Sequence, residues 1–386
     1  MKNQKGVLAI LLMNLFIAFL GIGLVIPVLP TIMNELEISG SVVGYMVAAF
    51  AFTQLLISPI SGRWVDKYGR KIIIVVGLFI FGFSEFLFGI GKSIEVLFIS
   101  RMLGGVSAAF IMPAVTAFIA DITTTTSRSK ALGYMSAAIS TGFIIGPGLG
   151  GFLAEIGTRL PFYFAGVLGA VAAILSIFLL KEPEREAEEA TSRQKTGLGR
   201  IFVPMYFIAF IIIFVLSFGL ASFESLFSLF VDHKFGFTPK DIAIVITGSG
   251  IVGAIAQVLL FDRIVKYIGE INLIRYSLGI STILVLLMTY VSSYFSILLT
   301  TFVLFVGFDL IRPAVTSYLS KIAGNEQGFV GGMNSTFTSI GNIFGPIIGG
   351  VLFDINLNFP YYFAFIVLLL GTIIALFWKL PKHITL

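Results

Sequence analysis

Long apolar stretches separated by short polar segments dominate this chain. A helix needs about 20 predominantly apolar residues to cross the hydrocarbon core of a bilayer. Stretches of that length predict spans at 7–28, 42–62, 72–91, 94–120, 130–155, 160–180, 203–231, 241–262, 271–290, 294–320, 327–354 and 359–379. The pattern therefore predicts an all-α membrane protein with twelve transmembrane helices.

Basic residues fall unevenly on the two sides that this alternation of spans creates. The side that holds the N-terminus collects Lys2, Lys5, Arg63, Lys67, Arg70, Lys71, Arg128, Lys130, Arg263, Lys266, Lys321, Lys379, Lys382 and the basic residues of a polar central loop. The opposite side has only Lys92, Arg159, Lys234 and Lys240. Short cytoplasmic loops are enriched in Lys and Arg, so we expect both termini in the cytoplasm. The net charge of +5 is then an orientation signal, and we expect no nucleic-acid partner.

Composition supports lipid as the main solvent and excludes several kinds of chemistry. Only 12% of the residues are charged, against about 25% in soluble domains. Without cysteine the chain cannot form disulfides or use thiolates. The two histidines, His233 and His383, have no metal-binding spacing, so we expect no metal site.

The two halves of the chain resemble each other at an offset of about 200 residues. Gly142-Phe-Ile-Ile-Gly146-Pro147 returns as Gly341-Asn-Ile-Phe-Gly345-Pro346. Long internal repeats of this kind are typical of secondary transporters, whose binding sites lie near the repeat interface. We therefore predict a six-helix bundle at 1–180, a cytoplasmic loop at 181–202 and a second six-helix bundle at 203–386.

Three motifs carry a family resemblance that extends over the whole chain. Gly62-Arg-Trp-Val-Asp66-Lys-Tyr-Gly69-Arg70-Lys, between the second and third spans, resembles the signature loop of the major facilitator superfamily. Arg101-Met-Leu-Gly-Gly in the fourth span resembles its second motif, and Gly146-Pro-Gly-Leu-Gly-Gly in the fifth resembles its drug-antiporter motif. The chain is most similar to the twelve-span multidrug exporters of Gram-positive bacteria.

The resemblance implies a proton-coupled efflux antiporter in the plasma membrane, not an enzyme. Members of that branch export amphipathic, often cationic or zwitterionic compounds, such as fluoroquinolones and ethidium-like dyes, by alternating access. A proton symporter or facilitator for one metabolite on the same fold is the alternative, and a receptor that transports nothing is a third. We expect a functional monomer that needs no cofactor, because the proton gradient supplies the energy.

Within the signature loop, the resemblance implies that Asp66 and Arg70 connect the loop to the ends of neighbouring spans, with Asp121 as a partner. Gly62 and Gly69 allow a close backbone approach and a tight turn. A carboxylate at Asp66 would be favoured at the positive end of a helix. In the second half, Asp262-Arg263-Ile-Val-Lys266-Tyr-Ile-Gly269 is a degenerate copy, so we expect a weaker second connection there.

One face of the fifth span, next to Pro147, carries a glycine every four residues: Gly142, Gly146 and Gly150. Small residues let another helix pack closely, and proline can bend a helix. The eighth span offers a matching surface with the glycines Gly248, Gly250 and Gly253. The face of the fifth span either seals one side of the cavity or serves ordinary helix packing, and the sequence leaves both open.

Ionisable residues inside spans are costly and are functional hypotheses by default. Glu224 lies in the seventh span, and Asp309 and Arg312 lie three residues apart on one face of the tenth. Proton exchange needs a balance between burial, which favours the neutral acid, and a nearby cation, which favours the carboxylate. We predict that Glu224 and Asp309 exchange the proton while Arg312 tunes Asp309. The resemblance adds Arg101 to this set; Glu85 has no motif to support a role.

A pocket for flat apolar cations needs aromatic area, because ring faces attract cations by about 0.5–2 kcal/mol. The candidate substrate-binding residues lie at suitable depth in their spans. They are the rings of Phe19, Phe50, Phe143, Phe305 and Phe308, and the polar side chains of Gln54, Asn334 and Asn342.

Overall fold

A computed structural model describes residues 2–183, 204–323 and 327–378 of the 386-residue chain. Most of the predicted central loop lies outside these ranges. Within them the chain is almost entirely helical, as expected where apolar side chains leave backbone polar groups to be satisfied inside each helix. Twelve helical segments are long and apolar enough to cross a membrane, which confirms the predicted number of spans.

The helices follow the predicted spans closely. Those of the first half are α1 (Lys2–Val25), α2 (Leu29–Leu36), α3 (Gly40–Tyr68), α4 (Arg70–Ile90), α5 (Ile94–Ile122), α6 (Thr125–Ile156) and α7 (Leu160–Leu179). Those of the second half are α8 (Pro204–Phe235), α9 (Pro239–Ile268), α10 (Glu270–Leu287), α11 (Tyr294–Ala323), α12 (Gln327–Ile355) and α13 (Phe359–Phe377).

The first span is longer than predicted. A short 3-10 helix at Ile26–Val28 joins α1 to α2, so the apolar segment continues to Leu36 instead of ending near residue 28. Pro27 and Pro30 lie at the starts of these two short helices, where a missing backbone N–H costs little. The prolines therefore shape the span without ending it.

The described residues form two compact units. Unit 1 draws on Met1–Ile38, Ala49–Thr191 and Phe237–Thr247; unit 2 draws on Ser39–Ala48, Ser192–Gly236 and Gly248–Leu386. In unit 1, α1 packs on α6, and α4 packs on α5 and α7. In unit 2, α8 packs on α12 and α13, and α10 packs on α11 and α13. The division follows the repeat, except that the first residues of α3 and of α9 belong to the other unit.

The predicted glycine face of α6 packs against α1. All three of its glycines, Gly142, Gly146 and Gly150, are buried. A Cβ added at Gly142 would lie 2.8 Å from Phe16 O, and one at Gly150 would overlap Leu24 O. A Cβ at Gly146, between them, would meet the backbone of α1 at Leu20 and Gly23. The face therefore brings two backbones of unit 1 together along about two helical turns.

The contact with α1 explains the glycine face as close helix packing. A Cβ at Gly23 of α1 would lie 2.9 Å from Pro147 Cδ, so the proline belongs to the same close contact. Gly142, Gly146 and Gly150 therefore serve close packing on α1, and their sealing role stays a prediction. The glycines Gly248 and Gly253 of the eighth span pack against side chains of α11.

Candidate functional site

Two acidic residues and one arginine come together in unit 2. Glu224 lies on α8, while Asp309 and Arg312 lie one turn apart on α11. Glu224 interacts electrostatically with both Arg312 and Asp309, and Asp309 interacts with Arg312. The structure thus brings together the three residues that the sequence singled out from two different spans.

The three side chains of this acidic site differ in exposure. The Glu224 and Arg312 side chains are exposed, and Asp309 is half-buried. A carboxylate in the middle of an apolar helix is costly when it faces lipid. Glu224 lies close enough to Arg312 and Asp309 of α11 for their charges to act on it. Three ionisable side chains from two spans therefore act on one another within unit 2.

Gly253 on α9 makes room for Asp309. A Cβ at this position would overlap the Asp309 carboxylate, and one at Gly248 would lie 2.6 Å from the Phe302 ring. These two glycines of the eighth span therefore face α11. Because the carboxylate rests on a bare backbone, the identity of residue 253 determines where Asp309 can sit.

An aromatic cluster lies on α8 and α11, the two helices that carry the acidic site. Phe223, next to Glu224, has its ring centroid 6.2 Å from that of Phe305 and 6.5 Å from that of Phe308. Tyr361 of α13 packs on the same ring at 5.7 Å. Phe305 is half-buried, whereas Phe308 is only 2% exposed. Phe308 therefore packs inside this cluster, and its role in substrate binding stays a prediction.

The other predicted pocket residues divide between the units. In unit 1, the Phe19 and Phe143 rings lie 5.0 Å apart, and Phe19 and Phe50 line one cavity. Gln54, also in unit 1, is half-buried. Two half-buried polar residues lie on α12 of unit 2: Asn334 and Asn342. Each unit therefore holds its own aromatic and polar set.

Arg101 forms an ion pair with Glu85, a residue to which no sequence motif assigns a role. Its Nη2 lies 3.2 Å from Glu85 Oε1, and its guanidinium lies 4.5 Å from the centre of the Phe88 ring. Glu85 is 2% exposed. Arg101 is therefore held in a buried ion pair, and its role in proton coupling stays a prediction. A spacing of sixteen residues across two helices gives no periodic signal from which the pair could be predicted.

The signature loop makes its predicted ion pair through the arginine. Arg70 Nε lies 2.8 Å from Asp121 Oδ2, and Arg70 Nη1 lies 3.5 Å from Asp66 Oδ1. The Asp66 side chain is 72% exposed. Asp121 is therefore the partner of Arg70, as predicted, while Asp66 supports it from the preceding turn.

A carboxylate that the sequence did not single out lies at the first turn of α4. The backbone N–H groups of Arg70 and Lys71 donate to Glu182 Oε1 and Oε2 at 2.6 and 2.9 Å. A negative charge is favoured at the first turn of a helix. A Cβ at Gly69 would meet this carboxylate at 2.8 Å, and Gly69 itself has φ +104°. Glu182 therefore caps α4, and the expectation that Asp66 lies at the positive end of a neighbouring helix stays a prediction.

The second repeat holds an ion pair of opposite polarity. Glu270 begins α10 directly after Gly269 and pairs with Lys321 near the end of α11. Ser317 Oγ adds a hydrogen bond of 3.1 Å to Glu270 Oε1. Glu270 and Lys321 lie about 200 residues after Arg70 and Asp121, so the repeat offset identifies this pair in the sequence. The second connection is thus present with its charges exchanged, which the degenerate motif concealed.

These features define a class of protein: an integral membrane transporter with two repeated helical units and ionisable groups inside its spans. The family model of the Major Facilitator Superfamily matches residues 11–233 and 209–385 of this chain. The chain belongs to that superfamily and is a multi-pass membrane protein.

Curated relatives match over nearly the full length. The chain is 70% identical to Multidrug resistance protein 1 of Bacillus subtilis, covering 100% of this chain and 99% of the relative. It is 54% identical to Multidrug resistance protein 2 of the same species, covering 99% and 97%. It is 48% identical to the Quinolone resistance protein NorA of Staphylococcus aureus, covering 96% of each.

Solved structures agree in fold. A bacterial homologue of the human lysosomal transporter Spinster superposes with a TM-score of 0.83 at 17% identity, covering 97% of each chain. The nucleoside transporter NupG superposes with a TM-score of 0.79 at 15% identity, covering 96% of this chain and 97% of that one. At such identities the likeness concerns the fold alone.

Proposed function

We propose that the chain exports amphipathic, often cationic or zwitterionic drugs in exchange for protons. The observation that carries the proposal is the meeting of Glu224 with Asp309 and Arg312 beside an aromatic cluster. The names of the relatives, two multidrug resistance proteins and a quinolone resistance protein, support drugs as the substrates. Fluoroquinolones and ethidium-like dyes are the compounds to test.

In this proposal the acidic site takes a proton or a cationic drug, but not both. A carboxylate in an apolar span is stable when it is neutralised by a proton or by a cation. Arg312 favours the charged form of Asp309, so the acid can release its proton again. Competition for the same negative charge couples drug release on one side to proton entry on the same side.

The energy source is the proton gradient. One charge that crosses 100 mV releases about 2.3 kcal/mol, which supports a concentration ratio of about fifty-fold. No bound cofactor is required for such a step. The proposal also places the protein in the plasma membrane as a functional monomer with both termini in the cytoplasm, in line with the distribution of Lys and Arg.

Ethidium efflux from energised cells tests the proposal. Cells that express the chain are loaded with ethidium, and efflux is followed with and without an uncoupler. We expect rapid efflux that the uncoupler stops, and loss of that efflux in Glu224→Gln at normal expression. Glu95→Gln, a change at an exposed glutamate near the start of α5, is the matched control. Efflux that ignores the uncoupler would refute proton coupling.

A further inference from the structure

Unit 1 contains a small cavity with one ionisable group in its wall. Helices α1, α3, α4 and α5 enclose it, and its volume is about 20 Å³. The wall includes the rings of Phe19, Phe50 and Phe81 and the side chain of Glu85. About 10–15 Å³ is enough for one water-sized group, so the cavity has room for one small polar head.

Glu85 has one oxygen to spare. Arg101 contacts Oε1 only, at 3.2 Å. Among the residues that the structure describes, none offers Glu85 Oε2 a hydrogen bond, and that atom is buried. A carboxylate can accept several hydrogen bonds, and a buried polar atom without a partner is costly. The arrangement is therefore incomplete in the absence of a donor.

The wall of the cavity suits a cation better than water. A buried water needs two to four polar partners. Besides Glu85, the polar side chain in this wall is Ser107, whose hydroxyl already donates to Gly77 O at 2.9 Å. Phenylalanine faces attract cations but hold water poorly. A primary ammonium fits against these rings, and a rotation of the Glu85 carboxyl group would bring its buried Oε2 to that cation.

Glycine keeps this space open. A Cβ at Gly104 of α5 would lie 3.1 Å from the Phe50 ring, a contact tight enough to displace the ring. Gly104 therefore lets Phe50 approach α5 and form part of the wall. The cavity thus depends on the Arg101-Met-Leu-Gly104 motif at both of its ends, through the ion pair and through the glycine.

We propose that this cavity is a subsite for the primary ammonium head of an arylalkyl substrate, with Glu85 Oε2 as its acceptor and Phe19 and Phe50 beside it. The inference deepens the proposed function and rests on it, because it names a class of cation that the exporter would take. It is separate from the acidic site of unit 2. Bulky quaternary cations do not fit a head-sized cavity and would not depend on Glu85.

Equilibrium binding to the purified protein in lipid nanodiscs tests the subsite. The probes are phenylbutylamine, which is protonated at pH 7, and phenylbutanol, which has the same shape without the charge. Glu85→Gln should weaken phenylbutylamine binding by about tenfold, equivalent to about 1.4 kcal/mol. Phenylbutanol binding should change by less than about twofold. Glu95→Gln should change neither.

A second variant separates binding from structural support. Glu85→Gln leaves Arg101 buried without its partner, whereas Glu85→Gln with Arg101→Gln removes both charges. We expect both variants to lose the preference for the ammonium probe. Recovery of that preference in the double variant would show that Glu85 only balances Arg101, and an equal loss for both probes would show a packing role; either result overturns the subsite, as does unchanged binding.

The subsite and the export proposal fail in different ways. If the wild-type protein extrudes ethidium in an uncoupler-sensitive manner but binds phenylbutylamine no better than phenylbutanol, the subsite falls and export stands. If the Glu85-dependent preference is found but efflux ignores the uncoupler, the subsite stands and proton coupling falls.

Discussion

Arg70 and Glu270 hold the same position in the two repeats and carry opposite charges. Each begins a helix directly after a glycine with positive φ. Arg70 pairs with Asp121, and Glu270 pairs with Lys321, in both cases near the end of the following helix. The repeats therefore keep the geometry of one ion pair while exchanging its polarity.

Exchanging the charges of the second pair should restore what a single change removes. Glu270 is 6% exposed, so Glu270→Lys places a cation against Lys321 and should cost about 1–3 kcal/mol. Adding Lys321→Glu should recover most of the loss. The measurement is the temperature at which the purified protein loses monodispersity. Lys266→Glu, at an exposed position just before α10, is the control. A double variant as unstable as the single one would contradict the pairing.

Hydropathy predicted the spans and singled out the charges inside them, because both are features local to a helix. Twelve apolar stretches and the charges inside them can be counted along the chain. The partners of those charges cannot be identified along the chain in this way. Glu182 caps α4 from 112 positions away, and Glu85 meets Arg101 from a neighbouring helix. Such contacts follow from how helices pack, and no periodicity in the sequence records them.

Close-packed glycines were also only partly predictable. The spacing of Gly142, Gly146 and Gly150 indicates one face of α6, but it does not identify α1 as the partner, because many helices of this chain carry small residues. The equivalence of Glu270 with Arg70 was missed for another reason. Motif matching requires the same charge at a position, and the second repeat has the opposite charge there. The 200-residue offset is the signal that finds it.

The two glycines of the signature loop should respond differently to alanine. Gly69 has φ +104°, and a Cβ there would meet the Glu182 carboxylate; backbone of this kind costs a non-glycine residue about 1–3 kcal/mol. Gly62 lies inside α3 with nothing within 4 Å of an added Cβ, so alanine should stabilise it by about 0.5–1 kcal/mol. We expect Gly69→Ala to lower thermal stability and Gly62→Ala to keep or raise it. Equal behaviour would refute the cap.

Gly253→Ala should impair transport without removing a charge. The added methyl group would overlap the Asp309 carboxylate and displace it from Glu224 and Arg312. Ethidium efflux at equal expression is the measurement, and we expect a loss of at least about tenfold. Gly279→Ala in α10, where a Cβ would meet only Thr372 Cγ2 at 3.9 Å, should transport normally. Normal efflux in Gly253→Ala would mean that the position of Asp309 is unimportant.

Asp309→Asn should separate drug movement from proton drive. The amide keeps the shape of the side chain but cannot exchange a proton, so downhill equilibration of ethidium should continue while uphill export stops. Efflux is compared in energised and de-energised cells. Uphill export at the wild-type rate would remove Asp309 from the coupling step.

Drug-stimulated proton movement tests the central claim most directly. The purified protein is reconstituted into vesicles that contain a pH-sensitive dye, and ethidium is added on one side without any imposed gradient. The account predicts that ethidium drives protons across the membrane in the opposite direction in the wild-type protein, and that Glu224→Gln abolishes this signal. Ethidium transport with no accompanying proton movement, or an undiminished signal in Glu224→Gln, would contradict it.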